Sequence, residues 1–171
     1  MNKVVVITGA SSGIGLRLAN KMNEDGYTVV GVSRNKPLGV SFPYYECDLT
    51  NKEQIKSVCT TIVSDINTID ILVNCAGVGT GGALEEISND DLRWVFDVNL
   101  FGTTEFIKNM LPALKKSSPS KIINIGSVAG EITIPYQTSY SMSKSSLHRL
   151  TEGLRIELKQ FNIDVCTILP G

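Results

Sequence analysis

Short β-branched runs alternate with amphipathic stretches along the whole chain. The first run, Val4-Val5-Val6-Ile7 within Lys3 to Thr8, is apolar at every position, as a strand buried on both faces of a parallel sheet requires. Glycine-rich Gly9 to Gly15 follows at once. Ile14, Leu18, Ala19 and Met22 then fall on one side of a helix that Gly26 stops. Tyr27 to Ser33 reads as a second strand through Val29, Val30 and Val32. Strand, glycine turn, helix and strand make a βαβ unit, which implies parallel strands and a right-handed crossover.

The alternation continues to the end. Tyr44 to Asp48 predicts a short third strand, and Thr50-Asn51-Lys52-Glu53 has the spacing of a capping box. That box opens a helix with Ile55, Val58, Cys59 and Ile62 on one face. Ile69 to Asn74 predicts the fourth strand, followed by glycine-rich Gly77 to Gly82. Ser88-Asn89-Asp90-Asp91 begins helical structure that extends, with or without breaks, towards Lys116. Lys121 to Gly126 and Val165 to Leu169 predict strands five and six, with a helix over Ser139 to Lys159 between them and Pro170-Gly171 after the last. No repeat or linker intervenes, so residues 1–171 are expected to form one doubly wound α/β domain of the Rossmann type.

Charge and composition remove several classes of function. The chain has 16 basic and 17 acidic residues, so it has no electrostatic footprint for nucleic acid or an anionic membrane. Its longest apolar runs are strand-sized, and Met1-Asn2-Lys3 leads straight into a strand rather than a signal peptide. Cys47, Cys59, Cys75 and Cys166 have neither metal-ligand spacing nor a disulfide framework. They read as buried free thiols in a reducing cytoplasm, with no metal site.

Candidate chemistry centres on Tyr140-Ser141-Met142-Ser143-Lys144. On a helix, Tyr140 and Lys144 lie one turn apart on one face. A phenol ordinarily titrates near ~10, too high for proton exchange at neutral pH, and a nearby ammonium lowers that value by favouring the phenolate. Such a pair is also found on ordinary solvated faces. Ser127, at the end of the fifth strand, adds a hydroxyl at a strand carboxyl end, where ligands bind in sheets of this kind. Thr8 to Gly15 and Asn74 to Gly82 fall at such ends too. The first turn would bring backbone amides and a helix N-terminus to a diphosphate, although Gly9, Gly13 and Gly15 match neither Gly-x-Gly-x-x-Gly nor a P-loop. Ser127 does not sit in a Gly-x-Ser-x-Gly elbow, and a single histidine leaves little for hydrolase chemistry.

Taken together, Thr8-Gly9-Ala10-Ser11-Ser12-Gly13-Ile14-Gly15, Asn74-Cys75-Ala76-Gly77, Asn99, Ser127, Tyr140…Lys144 and Pro170-Gly171 resemble the short-chain dehydrogenase/reductase family in order and spacing. The resemblance implies hydride transfer between a nicotinamide cofactor and a carbonyl or alcohol. It implies Tyr140 as general acid or base, Lys144 on the nicotinamide ribose and beside the phenol, and Ser127 on the substrate oxygen. Asn99 would hold a water linking Lys144 to solvent, or simply cap or kink its helix. Gly9, Ser11, Ser12, Gly13, Ile14, Gly15, Asn74, Ala76, Gly77, Pro170 and Gly171 would line the cofactor crevice, with Asp48 and Leu49 at the adenine edge. Asp48 is equally placed to be an ordinary helix cap. His148, one turn beyond Lys144, reads as a packing or interface residue, and Trp94, Phe96 and Phe101 as helix packing.

Cofactor choice falls on the end of the second strand. An NAD site usually has an acid there; this chain has Ser33 and Arg34, with no acid until Glu46. A hydroxyl and a guanidinium suit a 2′-phosphate, so NADP(H) is expected over NAD(H), against the alternative of an exposed loop arginine. The resemblance also implies a substrate lobe and a seventh strand beyond Gly171. The expectations are therefore a reductase acting on a small carbonyl or alcohol, or a truncated, non-catalytic nucleotide-binding protein of the same fold. A homodimer through the helices near 99–116 and 139–159 is expected in either case.

Overall fold

The computed structural model describes residues 2–171. Its strands are β1 (Val4–Thr8), β2 (Thr28–Ser33), β3 (Tyr44–Glu46), β4 (Ile71–Asn74), β5 (Ser120–Ile125) and β6 (Ile163–Ile168). They form one parallel sheet in the order β3-β2-β1-β4-β5-β6. The helices are α1 (Gly13–Glu24), α2 (Lys52–Ile66), α3 (Asn89–Phe96), α4 (Thr103–Lys116) and α5 (Thr138–Glu157). This is the expected Rossmann-type order. It reverses between β1 and β4, which opens a crevice at their carboxyl ends.

Alternate strand residues feed two unequal layers. Val6, Val30, Leu72, Ile122 and Val165 pack with Ile55, Cys59, Ile62, Phe106, Met110 and Leu114 of α2 and α4. Val5, Ile7, Val29 and Val73 point the other way, towards Ala19, Leu18 and Met22 of α1. That second layer thins towards the β6 edge: Cys166 is half-buried, and Ile168 is 50% exposed. Of the four thiols expected to be buried, only Cys47 and Cys59 are; Cys75 borders the crevice and Cys166 faces the thinly covered side.

Local differences from expectation have physical causes. The cap of α2 is Asn51, not Thr50: Asn51 Oδ1 accepts from Gln54 N at 3.0 Å. Thr50 is drawn back instead, its N–H and hydroxyl both donating to Asp48 Oδ1 at 2.9 Å. Ile14 is 51% exposed, because it borders the crevice, whereas Gly15 and Ala19 are the buried residues of the helix. Phe101 is 60% exposed, in a shallow surface groove with Leu92 and Phe96, rather than packed. The helical stretch from Asn89 to Lys116 is continuous, but Asp97–Gly102 widens it into a π turn.

Gly102 brings that turn against the β3–α2 loop: a Cβ there would lie 2.1 Å from Leu49 O and 2.9 Å from Asp97 O. In an ordinary helix alanine is favoured over glycine by about 1 kcal/mol. Here Gly102→Ala should instead lower unfolding free energy by about 2 kcal/mol, because backbone must move to admit the methyl. Urea titration of the two proteins tests this, and an equal or raised midpoint would contradict it.

Candidate active site

The carboxyl ends of β1 and β4 are tied by one side chain. Thr8 Oγ1 accepts from Cys75 N at 3.2 Å and Ala76 N at 3.3 Å. Gly9, at φ +70°, lies so close that a Cβ would be 2.6 Å from Ala76 N, and a Cβ on Gly15 would be 2.3 Å from Gly9 O. Only glycine fits at either place. The turn therefore coils tightly, and α1 starts against it. Asn51 and Ser88 cap α2 and α3, whereas Ser12 makes no side-chain cap to α1, whose first turn carries no acid. The free N–H groups of that first turn are left for an anion.

A cavity of about 530 Å³ runs from this turn across the crevice. Gly9, Ser11, Ser12, Gly13, Ile14 and Gly15 line one end, with Ser33, Arg34, Asp48 and Leu49 beyond them. Ala76, Gly77, Ser127, Tyr140, Lys144, Pro170 and Gly171 line the other. Asp48 is not the cap of α2, so its place in this wall is not explained by capping. Asn35, Val98 and Ile125, which no motif marked, also border the cavity.

Asn74 and Asn99 stand behind the wall rather than in it, 2% and 0% exposed. Asn74 Nδ2 donates to Asn124 Oδ1 at 2.8 Å, and Asn124 Nδ2 donates to Thr151 Oγ1 at 2.8 Å, linking β4, β5 and α5. Asn99 Nδ2 donates to Val78 O and Ser143 Oγ, while its Oδ1 accepts from Val78 N at 2.8 Å. Both amide hydrogens of Asn99 are thus committed to holding the loop after β4 against the π turn and α5. Ser143 joins this cluster without having been singled out by sequence; its hydroxyl donates to Tyr140 O at 2.7 Å.

Lys144 is 3% exposed. Its Nζ donates to Ile125 O at 2.8 Å and lies 5.7 Å from the centre of the Tyr140 ring. Gly77 and Gly79 leave the required space: a Cβ on Gly77 would lie 3.2 Å from Lys144 Nζ, and one on Gly79 would lie 3.1 Å from the Tyr140 ring. Burial pushes the Lys144 ammonium down to about 8, opposed by nearby Cys75. Ser127 Oγ accepts from Ala129 N at 3.1 Å, which leaves its hydroxyl hydrogen to donate into the cavity. Val128 N, the next amide, donates to Pro170 O at 3.0 Å. His148 packs inside the molecule, 4% exposed, against this same turn.

At the far end, Ser33 Oγ donates to Asn35 O at 2.9 Å and also bonds the Tyr44 hydroxyl. Ser33 has one hydrogen, so Tyr44 is the donor in that second bond. Glu46 is Ser33's register partner on β3, and its Oε1 accepts from Lys36 N at 3.0 Å. The acid absent from the end of β2 is thus supplied next door by β3.

Fold and cavity together define a Rossmann-type α/β protein, with a buried lysine, a tyrosine and a serine at the inner end of the crevice. The short chain dehydrogenase family model matches residues 3–171, and the chain belongs to that family. It is 36% identical over 170 residues to a 3-ketodihydrosphingosine reductase of Bacteroides thetaiotaomicron, covering 99% of this chain and 63% of that protein. A probable short-chain type dehydrogenase/reductase, VdlC, of Helicobacter pylori is 37% identical over 173 residues, covering 98% and 64%. The solved structure of ElxO with NADP bound superposes with a TM-score of 0.93 at 31% identity, covering 100% of this chain and 74% of that one. The chain thus spans just under two thirds of the length of both curated relatives.

The buried ammonium makes stability depend on pH in a definite direction. The folded value, about 8, lies below the ordinary 10.5, so desolvation opposes folding fully below pH 8, where both states hold the proton. The penalty fades as pH rises from about 8 towards 10.5. Relative to Lys144→Met, the parent should gain about 1 kcal/mol of unfolding free energy between about pH 7 and 9. Denaturant titrations of both proteins across that range measure the difference. A flat or falling difference would mean that the ammonium is solvated.

Proposed function

We propose that the protein is an NADP(H)-dependent oxidoreductase that reduces a carbonyl or oxidises the corresponding alcohol. The observation that carries this reading is Lys144. Its ammonium is buried, has three donors and spends one on Ile125 O, and it stands beside Tyr140 in the same cavity as the uncapped start of α1. The free donors suit ribose hydroxyls, and the amides around Gly13 to Gly15 suit a diphosphate. When bound, a nicotinamide cofactor supplies or accepts the hydride.

The chain's own residues handle the proton. Tyr140 gives its hydroxyl proton to the carbonyl oxygen during reduction and takes it back in the reverse direction. Ser127 donates to that oxygen and stabilises the charge developing there, since its own oxygen already accepts from Ala129 N. Asn99, with both amide hydrogens engaged, holds the loop at Val78 in register with α5, so a water it relays would have to donate to it rather than accept from its side chain.

Arg34 is exposed at the cavity's outer end and makes no ion pair among the described residues, leaving its fork for a 2′-phosphate. The NADP bound to ElxO supports that preference. The name of the Bacteroides relative supports a ketone as the substrate class. The four free thiols suit a reducing compartment such as the cytoplasm. Exposed Phe101, beside Leu92 and Phe96, supplies an apolar element for the homodimer expected at the α4 end.

If the protein reduces carbonyls, Tyr140→Phe should lower the hydride-transfer rate by at least ~100-fold while NADPH affinity stays within about twofold. Single-turnover oxidation of NADPH and fluorescence titration measure the two quantities, and an active variant would move the proton donor elsewhere.

Cofactor choice has its own test. The parent should bind NADPH more tightly than NADH, and Arg34→Asp should reverse the order by setting a carboxylate against the 2′-phosphate. Equal dissociation constants in the parent would contradict the assignment.

A further inference from the structure

His148 is the chain's only histidine, and nothing in the proton chemistry above uses it. It sits one turn beyond Lys144 on α5, 4% exposed, and both ring nitrogens have partners. Nδ1 lies 2.8 Å from Glu131 Oε1, and Nε2 accepts from Ser127 N in a long bond of 3.4 Å. Ser127's segment bends round the ring. A Cβ on Gly126 would lie 2.4 Å from Nε2, and one on Gly130 would lie 2.4 Å from Cε1. Glycine at both ends of Gly126-Ser127-Val128-Ala129-Gly130 is therefore what admits the imidazole.

The partners decide the tautomer. An ionised carboxylate only accepts, so Nδ1 carries the hydrogen that Glu131 receives, and Nε2 is left as the acceptor facing the Ser127 amide. The opposite tautomer would set two N–H groups against each other at Ser127 and leave Nδ1 facing a carboxylate with no hydrogen between them. Glu131 follows the single 3₁₀ turn Val128–Gly130, so one short loop supplies both contacts to the ring.

We propose that His148 is a positioning residue for Ser127. Its imidazole, fixed as the Nδ1–H tautomer by Glu131, holds the Ser127 backbone so that the hydroxyl points into the cavity. The turnover side of this proposal rests on the oxidoreductase reading; the tautomer and the backbone bond do not.

Two measurements test it. With one histidine, the ¹⁵N imidazole spectrum of the untagged chain at alkaline pH holds a single pair of nitrogens. The expected result is a protonated, pyrrole-like Nδ1 and a pyridine-like Nε2, moving towards a tautomer mixture in Glu131→Ala with faster exchange of the Ser127 amide. An Nε2–H tautomer in the parent, or an unchanged spectrum in Glu131→Ala, would overturn the proposal whether or not the chain is active. The second measurement is single-turnover hydride transfer. His148→Leu should slow it by about tenfold or more with NADPH affinity within about twofold, while His148→Gln, whose amide oxygen can accept from Ser127 N, should restore most of the rate. Equal rates in His148→Leu and the parent would sink the positioning role. A parent that transfers no hydride would count against the oxidoreductase reading alone, and the spectrum would then decide the assignment of His148.

Discussion

The site depends on keeping an ammonium out of water. Lys144 is 3% exposed and has one hydrogen-bond partner, Ile125 O. Burying an uncompensated cation costs several kcal/mol, so its position must be imposed by everything around it. The imposition comes from the helix that carries it. Besides Lys144, α5 sends Thr151 to Asn124, His148 to Ser127 N and Arg155 to Val165 O, so four side chains hold the helix to β5, its following turn and β6. Two of these bonds end on strand carbonyls, Ile125 O and Val165 O, which cannot drift without disturbing the sheet, and a third ends on the backbone of the turn after β5. Tyr140, one turn before Lys144, inherits this register.

Buried polar groups are usually a liability in a core. Here they serve as a frame. Asn74, Asn124 and Thr151 form a chain whose direction is determined: Thr151 donates to Leu147 O, so it must accept from Asn124, which in turn must accept from Asn74. That leaves Asn74 Oδ1 without a partner, a cost of about 1–3 kcal/mol by ordinary reckoning. The cost falls where β4 gives way to Cys75-Ala76-Gly77, at the crevice floor. Asn99 has the corresponding role in the next layer out, with every amide hydrogen engaged. Both residues shape the cavity without forming its surface.

Much of this was legible in the sequence, for a physical reason. Strands such as Val4–Thr8 and Ile71–Asn74 are buried on both faces, so they are apolar up to the polar residue at their carboxyl ends, Thr8 and Asn74, and the glycines beyond mark places where backbone meets backbone. Tertiary contacts left weaker traces. Thr50 and Asn51 are both competent caps, and only the competing pull of Asp48 on Thr50 selects the second. Ile14 has helical spacing but lies at the mouth of the crevice, where amphipathic periodicity carries no information about a cavity. The buried face of α5 includes Ser139, Ser143, Lys144 and His148, each hydrogen-bonded through its side chain, so burial at these positions follows hydrogen bonding rather than hydrophobicity. His148 was read as a packing or interface residue and is buried, but its contacts to the Ser127 turn were unreadable, because the glycines that admit it lie 18 and 22 positions away, counted from 148 to 130 and 126.

The cofactor end shows how sheet register alters a reading made along one strand. Ser33 and Arg34 close β2 without an acid, which favours a phosphate there, but parallel pairing sets Glu46 beside Ser33. Two facts limit the effect of that carboxylate. It already accepts from Lys36 N, so some of its charge is directed at a backbone dipole, and as an exposed group it acts through water, where such charges are worth roughly 0–1 kcal/mol. Ser33 is constrained too, since its only hydrogen goes to Asn35 O and Tyr44 supplies the hydrogen in their shared bond. A phosphate approaching this corner would find Ser33's donor spent and would rely on Arg34, whose charge and forked geometry survive in any rotamer. On the proposed reading, the choice between phosphorylated and unphosphorylated cofactor therefore reduces to a contest between one guanidinium and one partly engaged carboxylate, rather than the two-residue phosphate site that the strand end alone suggests.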